Sequence, residues 1–395
     1  QAPDGPDPAT ALGYCGAAAG LLRVYGGAML LSRGLRAPTR PWLRDAADPP
    51  RAFAVTVGAD RVILKEPPAP RPVMLRHCWA GAGAAELPLV FAADDRDELD
   101  ALLVDAANSD DTVTALAARS WRDRGRGGLR VGVAAADRAG LRSALAQARV
   151  LVGAGKSADG GVQRRQGVYF STQPLLSGTQ QGLAFVFPGS ANHYPGMGRG
   201  LALAFPEILA AHEAENTRLR SQLQPELFWD DSDPAELAER CEELILGQVS
   251  FSVLSVDALG AFGIRPATVI GYSLGEAAAL FGMRAWRDRD EMLERVRAAG
   301  LFSRDLAGEL RAVRRAWGLP DSGPAPRWLA GVVDRPAGVV SGALDGRARV
   351  YLLIVNTPNE CVIGGDEGAV TDVVTELGAH FYPLQGVASV HCEVV

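Results

Sequence analysis

Lysine is scarce in this sequence of 395 residues: Lys65 and Lys156 are the only lysines among 40 basic residues. With a net charge of −6 and no basic tract, the chain offers no surface typical of nucleic-acid binding. The five cysteines include no Cys-x-x-Cys pair, and the five histidines show no metal-ligand spacing. We therefore expect no disulfide framework, no metal site and a cytoplasmic location.

The sequence also lacks an obvious membrane span. Its most apolar N-terminal stretch, residues 11–31, has no basic start, carries Arg23 and includes five glycines, so we expect neither a signal peptide nor a transmembrane helix there. An apolar fraction of 48% with 22% charged residues is typical of a globular protein of two or three domains. Because the chain starts with Gln1 and ends in "HCEVV", we expect both ends to continue in a longer protein.

One short stretch, "GYSLGEAAAL" at residues 271–280, carries the main functional signal. A β-branched run, "TVI" at residues 268–270, precedes it, and good helix formers follow it. Strand, Gly-x-Ser-x-Gly and helix in this order are typical of a nucleophile elbow, in which glycines permit a strained serine. The following helix would direct its N-terminal N–H groups at an anion formed on the substrate. The pattern predicts that Ser273 is a nucleophile.

Three motifs occur in a fixed order: "FVFPGS" at residues 185–190, the elbow, and "VASVHCE" at residues 387–393. In this order they resemble the acyltransferase domain of polyketide and polyunsaturated fatty acid synthases, which has the malonyl-CoA:ACP transacylase fold. The resemblance covers residues 182–395. It implies an enzyme whose serine takes an acyl group from a thioester and whose histidine acts as the base.

The resemblance assigns roles to individual residues. Ser273 would be the nucleophile and His391 the catalytic base. The oxyanion donors would be the backbone N–H groups of Leu274 and Ser190, where Ser190 replaces the glutamine that is usual in the family's "PGQG" loop. A histidine so close to the chain end needs an orienting group, which the resemblance implies is a carbonyl on a strand beyond Val395.

Further residues are expected around the substrate. "IVNTPNECVIGGD" at residues 354–366 resembles the family's "VNSPGQ" segment, which implies that Asn356 lies near the active site. His193 and Tyr194 follow the predicted oxyanion loop. Each is expected either to line the pocket or to cap the next helix, and the sequence leaves both alternatives open.

One position departs from malonyl-specific members of the family. These enzymes carry an arginine about 25 residues after the serine, where a bidentate fork binds the substrate's free carboxylate. Here Ala299 stands at that position, and Arg295 and Arg297 are expected on a solvated helix face. Because an unpaired carboxylate is costly in an apolar site, the resemblance implies an acyl group without a free carboxylate.

The N-terminal segment has a second resemblance. Residues 1–66, with "LGYCGAAAG" and "RAFAVTVGADRVILKE", resemble the C-terminal end of a ketosynthase. Tyr14 replaces the histidine that ketosynthases use in condensation, and the element carrying their second histidine is reduced to "GADR". This implies a remnant that does not condense acyl groups. Residues 67–181 resemble the α/β linker between ketosynthase and acyltransferase.

We therefore predict an α/β protein: a small α/β linker domain, then an α/β-hydrolase-like acyltransferase core with a parallel sheet and a nucleophile elbow. A ferredoxin-like insert is expected at about residues 326–385, from the alternation of strands and helices there. The predicted function is acyl transfer within an iterative synthase. Two alternatives stay open: a thioesterase-like hydrolase or esterase, and a catalytically silent scaffold.

The predicted partners follow from the same resemblance. They are an acyl carrier protein with its phosphopantetheine, an acyl-CoA or acyl-carrier donor, and the other synthase domains. A homodimer through the ketosynthase-like domain is implied as well. No bound cofactor, nucleic acid or membrane is expected.

Overall fold

The computed structural model describes residues 35–36, 40–41, 43–49, 51–57, 60–65, 86–123, 127–154, 163–165, 167–172, 182–229, 240–384 and 389–395. The chain divides into two compact units, Leu75–Leu183 on one side and Gln1–Met74 with Ala184–Val395 on the other. Tyr14, the position of the lost ketosynthase histidine, lies outside the described residues. The assignment of residues 1–66 to a ketosynthase remnant and of 67–181 to a linker stays a prediction.

The N-terminal segment forms two antiparallel pairs. β1 (Leu35–Arg36) pairs with β2 (Arg40–Pro41), and β3 (Ala52–Val57) pairs with β4 (Asp60–Lys65). The stretches "AFAVTVG" and "DRVILKE" predict two strands, and β3 and β4 confirm them. The segment between the two pairs packs on the helices of the larger unit, to which it belongs. Leu43 is buried in its core, and Asp45 accepts hydrogen bonds from the backbone N–H and the hydroxyl of Ser221.

The smaller unit is an antiparallel sheet covered by helices. Its elements are β5 (Leu87–Ala93), α1 (Arg96–Asn108), α2 (Val113–Arg122), β6 (Leu129–Ala135), α3 (Arg138–Gly153), β7 (Gln163–Arg165) and β8 (Val168–Ser171). The sheet order is β5-β6-β8-β7, and leucines of α1 and α3 fill the core beneath it. This confirms the predicted small α/β domain. The glycine-rich stretch "GAGKSADGGVQRRQG" at residues 153–167 predicts a loop, but β7 lies within it.

The larger unit builds its core around a parallel strand pair. Its first elements are β9 (Ala184–Phe187), α4 (Arg199–Ala204), α5 (Pro206–Glu215), α6 (Leu219–Leu223), α7 (Pro225–Phe228), α8 (Cys241–Ala261), β10 (Thr268–Gly271), α9 (Leu274–Gly282), α10 (Arg289–Ala299), a π-helical turn (Leu301–Asp305) and α11 (Arg311–Trp317). β9 and β10 pair in parallel, as predicted.

Two helices differ from the form that the sequence predicts. The helical spacing of apolar residues predicts one helix over residues 202–223, but the structure has α4, α5 and α6 in this region. α5 starts at Pro206, which lacks a donor N–H, and it ends before the extended residue Asn216. The sequence also predicts an amphipathic helix in the region of α8, but α8 is buried on nearly every side as far as Leu254. Its length and apolar composition would also suit a membrane span, yet most of that apolar window is buried inside the unit, as in the core helix of a globular domain.

A buried polar network ties three of these helices together. His212 on α5 is fully buried, and its Nε2 lies 2.6 Å from Oδ2 of Asp257 on α8. Arg284 donates to the same carboxylate at 2.7 Å, and Nη2 of the buried Arg289 lies 3.5 Å from Nδ1 of His212. Burial lowers the pKa of His212, and the charge of Arg289 lowers it further against the opposing effect of Asp257. His212 is therefore a neutral ring that bridges the carboxylate of Asp257 and the guanidinium of Arg289.

The predicted ferredoxin-like insert is confirmed. β11 (Trp328–Val333), α12 (Ala337–Leu344), β12 (Val350–Thr357), β13 (Glu360–Asp366), α13 (Glu367–Leu377) and β14 (Phe381–Pro383) follow one another in the order βαββαβ. The four strands form one antiparallel sheet in the order β12-β13-β11-β14, with α12 and α13 packed on it. The end of β12 contacts the predicted elbow, so this subdomain contributes to the candidate site.

Candidate active site

Ser273 occupies a strained turn between β10 and α9. Its backbone angles are φ 51° and ψ −116°, a positive φ that a residue with a side chain adopts only when its surroundings enforce it. The backbone N–H of Tyr272 bonds to the carbonyl of Phe187 at 3.0 Å, which carries the β9–β10 pairing up to the turn. The strand therefore ends immediately before Ser273, and α9 begins immediately after it.

The two glycines of the elbow are required by close packing of backbone. A Cβ on Gly271 would overlap the backbone of Glu276 in the first turn of α9. A Cβ on Gly275 would overlap the carbonyl of Phe187 in β9. Glycine at both positions lets the chain reverse tightly and lets α9 lie directly on the strand, as the sequence motif predicts.

The structure brings the two predicted catalytic residues together. The hydroxyl Oγ of Ser273 lies 2.7 Å from Nε2 of His391, a distance at which the hydroxyl can donate a hydrogen bond to the ring nitrogen. His391 itself has a positive φ of 64°. Among the described residues, none forms a hydrogen bond with its second ring nitrogen, so the orienting carbonyl predicted beyond Val395 stays a prediction.

The segment that carries His391 is held by contacts on either side of the histidine. Ser389 is fully buried, and both its backbone N–H and its hydroxyl donate to the carbonyl of Leu306, at 2.8 and 2.9 Å. Val390 and Val394 pack against a buried cluster that includes Ile245 of α8. These contacts explain how a histidine so near the end of the chain reaches the serine.

Two backbone N–H groups of the predicted site have no acceptor within the protein's described residues. Within the part of the chain that the structure describes, the N–H groups of Leu274 and Ser190 donate to no other residue. Leu274 is the first residue of α9, whose N-terminal N–H groups and dipole favour negative charge. These are the two donors that the resemblance assigns to the oxyanion, so both remain free to bind a carbonyl oxygen.

The loop that contains Ser190 is anchored at Gly189. The side-chain amide of Gln248 on α8 donates to the Gly189 carbonyl, and Asn192 donates to the same carbonyl at 3.1 Å. A Cβ on Gly189 would lie only 2.6 Å from Cδ1 of Tyr272. Gly189 therefore packs directly on the residue that precedes the nucleophile.

Asn356 reaches the elbow through Tyr272. The Tyr272 hydroxyl donates to Oδ1 of Asn356 at 2.8 Å, and Nδ2 of Asn356 donates to Glu360 at 2.9 Å. The sequence motifs predicted Asn356 near the site, whereas Tyr272 was not predicted. Its position within the Gly-x-Ser-x-Gly motif, directly before the serine, was the available signal.

The remaining predicted residues are His193, Tyr194 and Ala299. His193 forms no hydrogen bond with Ser273 or His391; its Nδ1 is buried and has no partner among the described residues, and burial lowers its pKa. Tyr194, the alternative pocket residue, is exposed. Ala299 is the exposed last residue of α10 and contacts the site through no hydrogen bond.

The arginines near Ala299 have other partners. Arg295 pairs with the exposed Glu291 at 2.6 Å, and the exposed Arg297 pairs with the half-buried Glu242 at 3.4 Å. Arg304, which was not predicted from the sequence, lies against Gly300 and donates to the Ala299 carbonyl at 3.5 Å. The Arg304 guanidinium therefore contacts the backbone of the position where the family's arginine is missing.

A cavity of about 570 Å³ lies next to the His391 segment in the same unit. It is bordered by Trp317 of α11, by Arg349 and Tyr351 at the start of β12, and by Cys392 and Glu393. Its lining does not include Ser273. In the described ranges, no three His, Cys, Asp or Glu side chains converge as metal ligands would.

Comparison with known proteins relates the chain to large synthases. No family model matches the sequence. The chain is 28% identical to erythronolide synthase EryA3 of Saccharopolyspora erythraea over an alignment of 400 residues, which covers 92% of this chain and 11% of that protein. It is 26% identical to a polyunsaturated fatty acid synthase component of a Thraustochytrium species over 247 residues, or 58% of this chain and 12% of that protein. The chain thus spans about a tenth of these relatives.

Solved structures show the same fold. The acyltransferase domain of ZmaA aligns with a TM-score of 0.57 at 18% identity, over 77% of this chain and 66% of that chain. The acyltransferase domain of SpnD aligns with a TM-score of 0.53 at 22% identity, over 79% and 68%. The chain therefore has the fold of an acyltransferase domain, and its sequence relatives are polyketide and polyunsaturated fatty acid synthases.

Proposed function

We propose that this chain moves an acyl group from a CoA or carrier-protein thioester, through an acyl-enzyme on Ser273, to the phosphopantetheine thiol of an acyl carrier protein. The observation that carries the proposal is the 2.7 Å contact between Oγ of Ser273 and Nε2 of His391 at the N-terminus of α9. The fold and the synthase relatives support transfer within a larger synthase. No resident cofactor takes part, since the phosphopantetheine arrives on the partner.

The geometry supports a two-step reaction. Nε2 of His391 takes the proton of Ser273 while Oγ attacks the thioester carbonyl, and the N–H groups of Leu274 and Ser190 bind the oxyanion. When the intermediate collapses, the C–S bond breaks and His391 returns the proton to the departing thiolate. The acceptor thiol then gives its proton to His391, attacks the ester and releases Ser273 by the reverse sequence.

The acyl group is proposed to lack a free carboxylate. Ala299 cannot supply a bidentate cation, and Arg295 and Arg297 are paired with Glu291 and Glu242. A malonyl carboxylate would then enter the site without a fixed partner, which is unfavourable. Of these three arginines, Arg304 is the one whose guanidinium contacts the Ala299 carbonyl.

Peptide mass spectrometry tests the proposal. The protein is incubated briefly with acetyl-CoA, malonyl-CoA or a long-chain acyl-CoA. The mass of the peptide that contains Ser273 is then compared with the mass of the corresponding peptide from the Ser273→Ala variant. We expect a Ser273-dependent adduct with acetyl or long-chain donors and none with malonyl. A malonyl adduct that disappears in Arg304→Gln would overturn the substrate class and assign the carboxylate to Arg304.

A second measurement separates transfer from its alternatives. Addition of a holo acyl carrier protein should move the label from Ser273 to the carrier. Release of free acid at the same rate with and without the carrier would indicate a hydrolase. Full product formation by a synthase that carries Ser273→Ala would indicate the scaffold.

A further inference from the structure

Tyr272 connects three parts of the candidate site. It directly precedes Ser273, it contacts the loop that carries Ser190, and its hydroxyl binds a residue of the ferredoxin-like subdomain. Among the described residues, no other side chain makes all three connections. Its role therefore differs from that of the predicted catalytic residues, which act on the substrate directly.

The ring of Tyr272 lies against the backbone of Gly189. A Cβ added to Gly189 would lie 2.6 Å from Cδ1 of Tyr272, so position 189 has no room for a side chain. Because Gly189 immediately precedes Ser190, the ring limits where the Ser190 N–H can lie. The side-chain amides of Gln248 and Asn192 also donate to the Gly189 carbonyl, so three side chains, including the Tyr272 ring, contact this residue.

A hydrogen bond from its hydroxyl holds the outer end of the Tyr272 ring. It donates to Oδ1 of Asn356, whose own Nδ2 donates to Glu360, so the chain of hydrogen bonds runs in one direction from ring to carboxylate. Burial, together with the charge of Glu360, raises the pKa of Tyr272. The phenol therefore stays protonated and remains a donor throughout the neutral range.

We infer that Tyr272 is a positioning residue for the oxyanion donor of Ser190, and that the hydrogen bonds from Tyr272 to Asn356 and Glu360 make this donor depend on the ferredoxin-like subdomain. The inference rests on the proposed function, because it presupposes that Ser273 generates an oxyanion. It assigns Asn356 a structural partner within the protein in place of direct contact with the substrate.

A fluorophosphonate probe measures the relevant step without any knowledge of the natural acyl group. Oγ of Ser273 displaces fluoride from phosphorus, His391 takes the hydroxyl proton, and the phosphoryl oxygen occupies the oxyanion position. Labelling rates are compared for the wild type, Tyr272→Phe, Tyr272→Ala and Asn356→Ala. Tyr272→Phe keeps the ring against Gly189, whereas Tyr272→Ala removes both contacts.

We expect graded losses in the labelling rate. Tyr272→Phe and Asn356→Ala should each reduce it by about 2- to 10-fold, the equivalent of one hydrogen bond, and their effects should not add. Tyr272→Ala should reduce it by about 100-fold, as for loss of one oxyanion donor. The probe concentration at half-saturation and the midpoint of the pH profile should both stay unchanged. A general loss of structure would change both quantities.

A double-mutant cycle tests the ring contact directly. Gly189→Ala alone should slow labelling because its Cβ meets the Tyr272 ring. In Tyr272→Ala the ring is absent, so adding Gly189→Ala should cost markedly less than it does in the wild type. Equal costs in the two backgrounds would overturn the contact that the inference requires.

The outcomes separate the inference from the proposed function. If the wild type is labelled and Tyr272→Ala is labelled at the same rate, only the role of Tyr272 is overturned. A wild type that is not labelled on Ser273 overturns the proposed nucleophile, and the positioning role falls with it. Graded losses with compensation between positions 189 and 272 support both.

Discussion

Oγ of Ser273 and Nε2 of His391 lie 2.7 Å apart although 118 positions of sequence separate them. The strained elbow provides one member of the pair. The segment that follows the ferredoxin-like subdomain provides the other. The contact therefore depends on how two parts of one unit fold together.

The first prediction concerns this pair. Ser273→Ala should abolish the acyl adduct, and His391→Gln should slow its formation by about 10² to 10⁴-fold because the hydroxyl loses its base. Adduct formation with acetyl-CoA provides the measurement. A His391→Gln protein with the wild-type rate would contradict the pairing.

The elbow glycine Gly275 should tolerate no side chain. Its Cβ would overlap the carbonyl of Phe187, so Gly275→Ala should reduce the free energy of unfolding by about 3 kcal/mol or more, although alanine favours helices. Gly260 near the end of α8 has nothing within 4 Å of its Cβ position and is the matched control. Gly260→Ala should be neutral or stabilising by up to about 1 kcal/mol in urea unfolding. Equal effects at both positions would refute the packing argument.

Ser389 should affect catalysis through the position of His391. Ser389→Ala removes one hydrogen bond to the Leu306 carbonyl, which still accepts from the backbone N–H. We expect a stability loss of about 1 kcal/mol and a drop in acylation rate of about tenfold with an unchanged KM. Ser303→Ala, at an exposed position of the π-helical turn, serves as the control and should change neither quantity. A Ser389→Ala rate equal to wild type would show that Val390 and Val394 suffice.

The buried network at His212 should make stability depend on pH. The pKa of His212 is lowered in the folded state below the unfolded value of 6.5, mainly by burial, so the unfolded chain binds the proton more readily. The stabilisation is therefore complete above pH 6.5 and is lost as the pH falls, with a limiting slope of about 1.4 kcal/mol per pH unit for one proton.

Urea unfolding between pH 5 and pH 8 measures this slope, in about half-unit steps that resolve a one-proton transition. His212→Gln should flatten the profile in the acidic half and reduce stability at pH 8, because Asp257 and Arg289 lose their bridging ring. His380→Gln, at an exposed histidine, should keep the wild-type slope. An unchanged slope in His212→Gln would place the titrating group elsewhere.

The sequence was sufficient to predict the local features of the site. A β-branched strand, Gly-x-Ser-x-Gly and a run of helix formers specify a nucleophile elbow from adjacent residues alone, and the structure has that elbow at Ser273. The alternation of strands and helices predicted the ferredoxin-like subdomain, because periodicity is a local property. The parallel pairing of β9 and β10 also agrees with the prediction.

Tertiary structure decided the features that depend on long-range packing. The anchoring of the His391 segment through Ser389 and Leu306, and the chain from Tyr272 to Asn356 and Glu360, join residues from different elements. The burial of most of α8 likewise depends on neighbouring elements, whereas the helix break at Pro206 has a local cause in the sequence.

The sequence by itself therefore determined which residue is the candidate nucleophile and the type of element that carries it. Only the folded chain decided which side chains surround Ser273, because hydrogen bonds and close packing between distant segments have no local pattern.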